Sequence, residues 1–200
     1  TLSRLGNTTI VITAGDRFFT SDLADSIGRT TEVPVAPVLL LDAVAVAHGG
    51  EKRANHVQVT GVDFRFEPLS GNSEMNDIGE QEIMISDNLA RELEVEAGDY
   101  ILLRIGKASL IPGNAPFVAE NEATIPFRAK IRLILSPKQM GNFSLKNSQS
   151  VRFNVFMQLG KLNSLMQFKG RANRILLAGN TGYQEIADAL NQHLTPSDAG

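Results

Sequence analysis

Three histidines, a few carboxylates and several glycine turns are the residues of this chain that could do chemistry, and their spacing decides what they can do. His48, His56 and His193 lie in unrelated segments with no H-x-x-x-H pair, so two zinc ligands on one helical face are not formed. Asp16, Asp22 and Asp25 could gather a Ca²⁺ or Mg²⁺ ion, but Asp22 is placed to cap a helix and Asp25 to face water. His48-Gly49-Gly50 is a glycine-bearing loop of the kind that can form an oxyanion hole. Acyl transfer also needs a serine on a strained G-x-S-x-G elbow, which is absent, so a hairpin turn is expected there. Gly15 follows a strand and precedes a helix, the context of a phosphate cradle. No G-x-G-x-x-G or G-x-x-x-x-G-K-[ST] surrounds it, and Gly106-Lys107 and Gly160-Lys161 lack the upstream glycine. With no cysteine there is no thiol nucleophile, thiolate metal site or disulfide. The expectation is a chain with no catalytic residue, no metal site and no cofactor.

Two hundred residues with 42% hydrophobic content can bury a core as one or two domains. The net charge of -3 hides an asymmetry: residues 1–100 carry 7 Lys+Arg against 17 Asp+Glu, and residues 101–200 carry 12 against 5. Nucleic acid is not the expected partner of the basic half. Its cations are spread singly along strands, as at Arg128, Lys130 and Arg132, without interleaved aromatics on which bases stack. The two halves are expected to pack together and neutralise each other. The longest apolar run, from Val35 to Ala47, is interrupted by Pro37 and Asp42 and falls short of the roughly 20 residues that span a bilayer.

The elements that must position these residues follow from periodicity. Strands are expected at 8–13, 38–47 and 56–62, with a helix at about 20–27 and a polar hairpin connection at 48–53. Residues 67–81 read as a polar loop. A strand (82–85), a helix (87–93) capped by Ser86 or Asp87, and a strand (99–105) after the Gly98-Asp99 turn come next. At 126–135, Phe127, Ala129, Ile131 and Leu133 alternate with Arg128, Lys130 and Arg132, which marks a strand with one wet face. A strand (151–157), a short helix (161–167), a strand (172–178) and a closing helix (183–194) finish the chain. Strand–helix units at both ends, with a strand-rich piece between, predict an α+β fold.

The order of Gly61-Val62-Asp63, Ile83-Met84-Ile85-Ser86-Asp87-Asn88-Leu89-Ala90-Arg91-Glu92-Leu93 and Glu96-Ala97-Gly98-Asp99 resembles the extracytoplasmic domain of ABC-transporter permeases of the macrolide-exporter and FtsX-like class, the MacB-like periplasmic core domain. Thr9-Ile10-Val11-Ile12-Thr13-Ala14-Gly15-Asp16-Arg17-Phe18-Phe19, Asn142-Phe143-Ser144-Leu145, Asn154-Val155-Phe156-Met157-Gln158-Leu159 and Arg171-Ala172-Asn173-Arg174-Ile175-Leu176-Leu177 extend the resemblance over almost the whole chain. It implies a split α/β subdomain, residues 1–63 and 136–200, similar to the porter subdomains of efflux pumps, with a mixed, strand-rich subdomain inserted at 64–135. It also implies a non-catalytic domain at the periplasmic face of a bacterial inner membrane. Membrane helices outside this piece would link it to a cytoplasmic ABC ATPase, which hydrolyses the ATP. An extracytoplasmic partner or cargo protein would meet the domain, and the isolated piece would be a monomer.

The same 83–103 array also resembles double-psi β-barrel proteins, so a barrel-type ligand-binding module or enzyme subunit is the alternative. That alternative leaves the Thr9 to Phe19 segment and the closing helix without a role. Residues 106–125 carry Leu110, Ile111 and Phe117 in a Gly/Pro-bearing stretch, where they are candidates either for partner contact or for covering the core. A domain looped out between membrane helices is further expected to send Thr1 and Gly200 out of the same end.

Overall fold

A computed structural model describes residues 5–15, 17–107, 124–145 and 152–195. β1 (Thr8–Thr13) leads through the two-residue β2 (Phe19–Thr20) into α1 (Ser21–Thr31), whose buried Leu23, Ala24, Ile27 and Thr31 recur on one face. The helix ends where Glu32 turns left-handed (φ 55°) and its N–H closes on the Gly28 carbonyl.

β3 (Val35–Ala47) and β4 (Lys52–Val62) form a hairpin. Its tip is the turn expected at His48-Gly49-Gly50, where both glycines take positive φ (68° and 113°). α2 (Glu67–Ser70), β5 (Glu82–Ser86), α3 (Asp87–Leu93), β6 (Tyr100–Gly106) and β7 (Thr124–Leu135) follow. The chain continues through β8 (Phe153–Gln158), α4 (Leu159–Leu165), β9 (Arg171–Ala172) and β10 (Arg174–Ala178) to α5 (Tyr183–His193).

The fold is α+β. Among the described residues, eight strands form one mixed sheet in the order β1-β10-β3-β4-β8-β5-β7-β6, and β2 pairs with β9. β6 also pairs antiparallel with the second half of β3, Ala43 opposite Ile105 and Val46 opposite Leu102. Six strands therefore close into a barrel, while β1 and β10 extend the first half of β3 as an open sheet. One strand serves both parts because it is long: 13 residues at about 3.3 Å each reach roughly 40 Å.

β3 shows in its own sequence where it changes surroundings. Val35 to Leu39 are buried on both faces, whereas Ala43, Ala45 and Ala47 alternate with half-buried Val44 and Val46. The first stretch lies between two covering layers; the second has the barrel interior on one side only.

Three apolar clusters result. The barrel interior gathers Leu39, Val57, Val59, Ile83, Ile85, Leu103, Ile131 and Val155 with α3 and α4 against it. On the outer face, Phe66, Leu69, Met75 and Ile78 join Met140 and Phe143 over Met84 and Phe156. Phe66, Phe143 and Phe156 stack pairwise there with ring centroids 5.9 to 6.2 Å apart. The third cluster packs α1 and α5 onto Ile175, Leu177 and Val35. The stretch 67–81, which reads as a loop, thus contains α2 and a short 3₁₀ turn (Ser73–Asp77), and it buries a side of the sheet.

Candidate functional site

No group of three or more His, Asp or Glu residues converges as a metal site among the described residues. His48 sits at the hairpin tip with its Nε2 3.0 Å from the Glu94 carbonyl, and His193 ends α5 with Nε2 2.9 Å from the Thr30 hydroxyl. His56 is exposed, with a φ of 56°. The three histidines thus lie in separate places, at the hairpin tip, within β4 and at the end of α5.

Of the acidic trio, Asp16 lies outside the described residues. Asp22 is in the first turn of α1 but makes no cap; Thr20 is the N-cap residue, and its side chain does not cap the helix either. Asp25 is engaged by an arginine. Gly15 takes a φ of 65° with open space around it, a turn rather than a cradle.

The arrangement that stands out is mechanical. At the exit of β4, Asp63 caps a 3₁₀ turn by accepting from the Arg65 backbone N–H at 3.0 Å. The Arg65 guanidinium then doubles back to Asp63 (2.6 Å) and reaches across to Asp25 of α1 (2.7 Å) and to the Ser21 carbonyl (3.3 Å). Burial alone would lower the Arg65 pKa, but the hydrogen bonds it donates to Asp63 and Asp25, with their charges, outweigh burial and the value is raised. One side chain therefore ties the end of a barrel strand to the helix that covers the open sheet.

A second tie lies where β3 passes from the open sheet to the barrel. The Asn173 side chain accepts from the Leu40 N–H at 2.9 Å and donates to the Leu40 carbonyl at 2.8 Å. Its own backbone N–H donates to the Val38 carbonyl. The expected strand 172–178 is broken at this residue. β9 ends before it to pair with β2, and β10 starts after it to pair with β1 and β3.

The described ends of the chain lie near each other. Asn7 donates to the Leu69 and Pro68 carbonyls, and Thr9 to the Gly179 carbonyl at 2.7 Å. Gly179 lies against Val33, just before β3, and α5 finishes beside Thr30, just before Val33. Both ends thus sit where β3 begins, and the His48 turn sits where β3 finishes. Thr1 and Gly200 lie outside the described residues, as do Leu110, Ile111 and Phe117; Gly106 and Thr124 flank the last three. No helix among the described residues is long and apolar enough to cross a membrane.

The expected neutralisation between halves is limited. Ion pairs to Arg132 from Asp77 and Glu82, and from Asp42 to Arg152, cross between them. Lys52–Glu94, Arg65–Asp25, Arg65–Asp63 and Arg91–Asp87 are internal to the acidic half. Two of these, Arg65–Asp63 and Arg91–Asp87, are local pairs set by a turn and by helix spacing, and the other two join separate elements.

Sequence reasoning missed both ties. The Asp63-Phe64-Arg65 spacing carried a signal, an acidic cap two residues before a cation. Asn173 stood as a polar residue in an apolar strand between two arginines.

No protein-family model matches the chain, and no curated protein sequence matches it. Solved structures do. The extracellular domain of the noncanonic ABC-type transporter YknZ from Gram-positive bacteria aligns over 96% of this chain and 97% of its own, with a TM-score of 0.57 and 9% identity. The periplasmic region of MacB from Actinobacillus actinomycetemcomitans aligns over 96% of this chain and 85% of its own, with a TM-score of 0.57 and 10% identity. A domain described as part of a permease protein from Porphyromonas gingivalis aligns over 90% and 73%, with a TM-score of 0.51 and 11% identity. The chain has the fold of the extracytoplasmic domains of ABC-type transporter permeases, in agreement with the resemblance carried by its sequence.

Proposed function

We propose that the chain is a non-catalytic, extracytoplasmic domain of a bacterial ABC-type permease, moved by membrane helices in response to ATP hydrolysis on a cytoplasmic partner. The observation that carries this reading is the likeness to extracellular and periplasmic transporter domains over 96% of the chain. Two features support it. Asn7 and His193 lie at one end of the fold, so helices attached beyond them would pull on the same place. Arg65 and Asn173 join the part at that end to the barrel, which favours movement as one rigid body.

In this reading residues 1–63 and 136–200 form the part attached to the membrane, and residues 64–135 form an inserted part. β5, β6 and β7 bind that insert into the barrel. Leu110, Ile111 and Phe117 then belong to a segment available for partner contact.

Purification of the whole gene product from detergent-solubilised membranes tests the proposal. Recovery with an ATPase whose activity vanadate inhibits is the expected result. A product found in the soluble fraction, free of any ATPase, overturns it.

A further inference from the structure

The wet face of the barrel carries a charge pattern that none of the internal ties uses. The register of β4, β3, β6 and β7 sets out a row across the outside of the sheet: Val46 lies opposite Arg53 on one side and Leu102 on the other, and Leu102 lies opposite Arg128. Directly opposite residues in antiparallel pairs project to the same face. Arg53 and Arg128 are exposed while Val46 and Leu102 are half-buried. An apolar centre is therefore flanked by cations three strands apart, roughly 14 Å at about 4.8 Å per strand.

The next row repeats the pattern, with half-buried Val44 opposite exposed Arg104. Tyr100 opens the third row, half of it exposed at 52%, with the Arg128 guanidinium 4.6 Å from its ring centroid. Opposite it stands Lys130, also exposed. Among the described residues none of Arg53, Arg104, Arg128 and Lys130 takes part in an ion pair. Of the acids that border the face, Glu82 lies 3.5 Å from Arg132, and Asp42, largely exposed, lies 3.8 Å from Arg152.

We propose that this outer face of β3, β6 and β7 docks an acidic partner protein. Its composition is that of an interface, with half-buried valine and leucine at the centre, Tyr100 beside them and arginines around them. Charge complementarity selects an acidic occupant. The position favours a protein over a lipid surface, because the face lies along the half of β3 remote from Asn7 and His193. The inference rests on the proposed non-catalytic role and gives it a surface.

The test uses the isotope-labelled 200-residue chain, with poly-L-glutamate as the probe and phosphatidylglycerol vesicles as the competing one. Amide shifts confined to β3, β6, β7 and the part of β4 around Arg53 on adding poly-L-glutamate are expected. The double variant Arg104→Glu/Arg128→Glu should bind roughly tenfold or more weakly, while Lys138→Glu, exposed on another surface, should bind as the parent does. Thermal melts establish that the variants fold, and Arg104→Gln/Arg128→Gln repeats the measurement without added acids. Shifts scattered over the surface, equal losses with Lys138→Glu, or binding to vesicles without binding to poly-L-glutamate would each overturn the inference. None of these readouts involves an ATPase, so failure here leaves the permease reading standing, and loss of the ATPase leaves this result standing.

Discussion

The side-chain amide of Asn173 pairs with both backbone polar groups of Leu40, at 2.9 and 2.8 Å, and so takes the place of a strand neighbour. On this edge β3 pairs with β10 up to Val38 and with β6 from Ala43 onward, and the amide fills part of the gap between them. Asn173→Leu removes both hydrogen bonds while keeping the branched side-chain skeleton. A loss of about 2 kcal/mol in denaturant unfolding is expected, since a part-buried N–H and C=O are left unpaired. Asn173→Asp keeps the acceptor for the Leu40 N–H but sets a carboxylate oxygen against the Leu40 carbonyl, so it should be destabilising as well, and less so at a pH low enough to protonate it.

Arg65 is the corresponding tie at the end of β4. Arg65→Met leaves the Asp63 carboxylate, whose side chain is 21% exposed, without its cation. Asp25, with 48% of its side chain exposed, gives up less. The expected order is Arg65→Met at about 2 kcal/mol and Asp25→Asn at under about 1 kcal/mol, read from urea midpoints.

Much of this architecture was legible in the sequence, and the exceptions share a cause. The strands other than the two-residue β2 and β9, and the helices α1, α3, α4 and α5, were legible as short apolar runs or through period-2 and period-3.6 spacing, as in Phe127, Ala129 and Ile131 of β7 or Leu23, Ala24 and Ile27 of α1. The 67–81 stretch was not. Leu69, Met75 and Ile78 are buried by tertiary packing on short turns that show no period. Asn173 and Arg65 stood out as residue types, but what they join was not legible, because their partners Leu40 and Asp25 lie 133 and 40 residues away. Barrel closure depends on β3 serving two neighbours along one edge, which no local pattern states.

Gly141 is required by close approach. A Cβ there would stand 2.5 Å from the Leu135 carbonyl oxygen and 2.7 Å from that of Ser136, both backbone atoms that cannot swing aside. Gly141→Ala must therefore shift the turn that carries Met140 and Phe143 over the sheet. A loss of about 1–3 kcal/mol is expected in thermal or chemical unfolding, with the NMR signals of Phe143 and Phe156 moving.

Lys52 and Glu94 join the hairpin tip to the end of α3. The hydrogen bond from Lys52, and then its charge, hold the Glu94 carboxyl below the ordinary value of 4.5. A carboxyl lowered by folding stabilises above its unfolded pKa, and that contribution is lost as pH falls through the folded one. In Lys52→Met the Glu94 side-chain carboxyl, followed by NMR titration, should move up toward 4.5.

Location tests the central claim most directly. The chain has no cysteine, so a single one introduced at exposed Ser73 is unique within it. In intact cells expressing the whole gene product, a maleimide that reaches the periplasm but does not cross the inner membrane should label Ser73→Cys before lysis. Labelling that appears only after the inner membrane is broken would contradict the account.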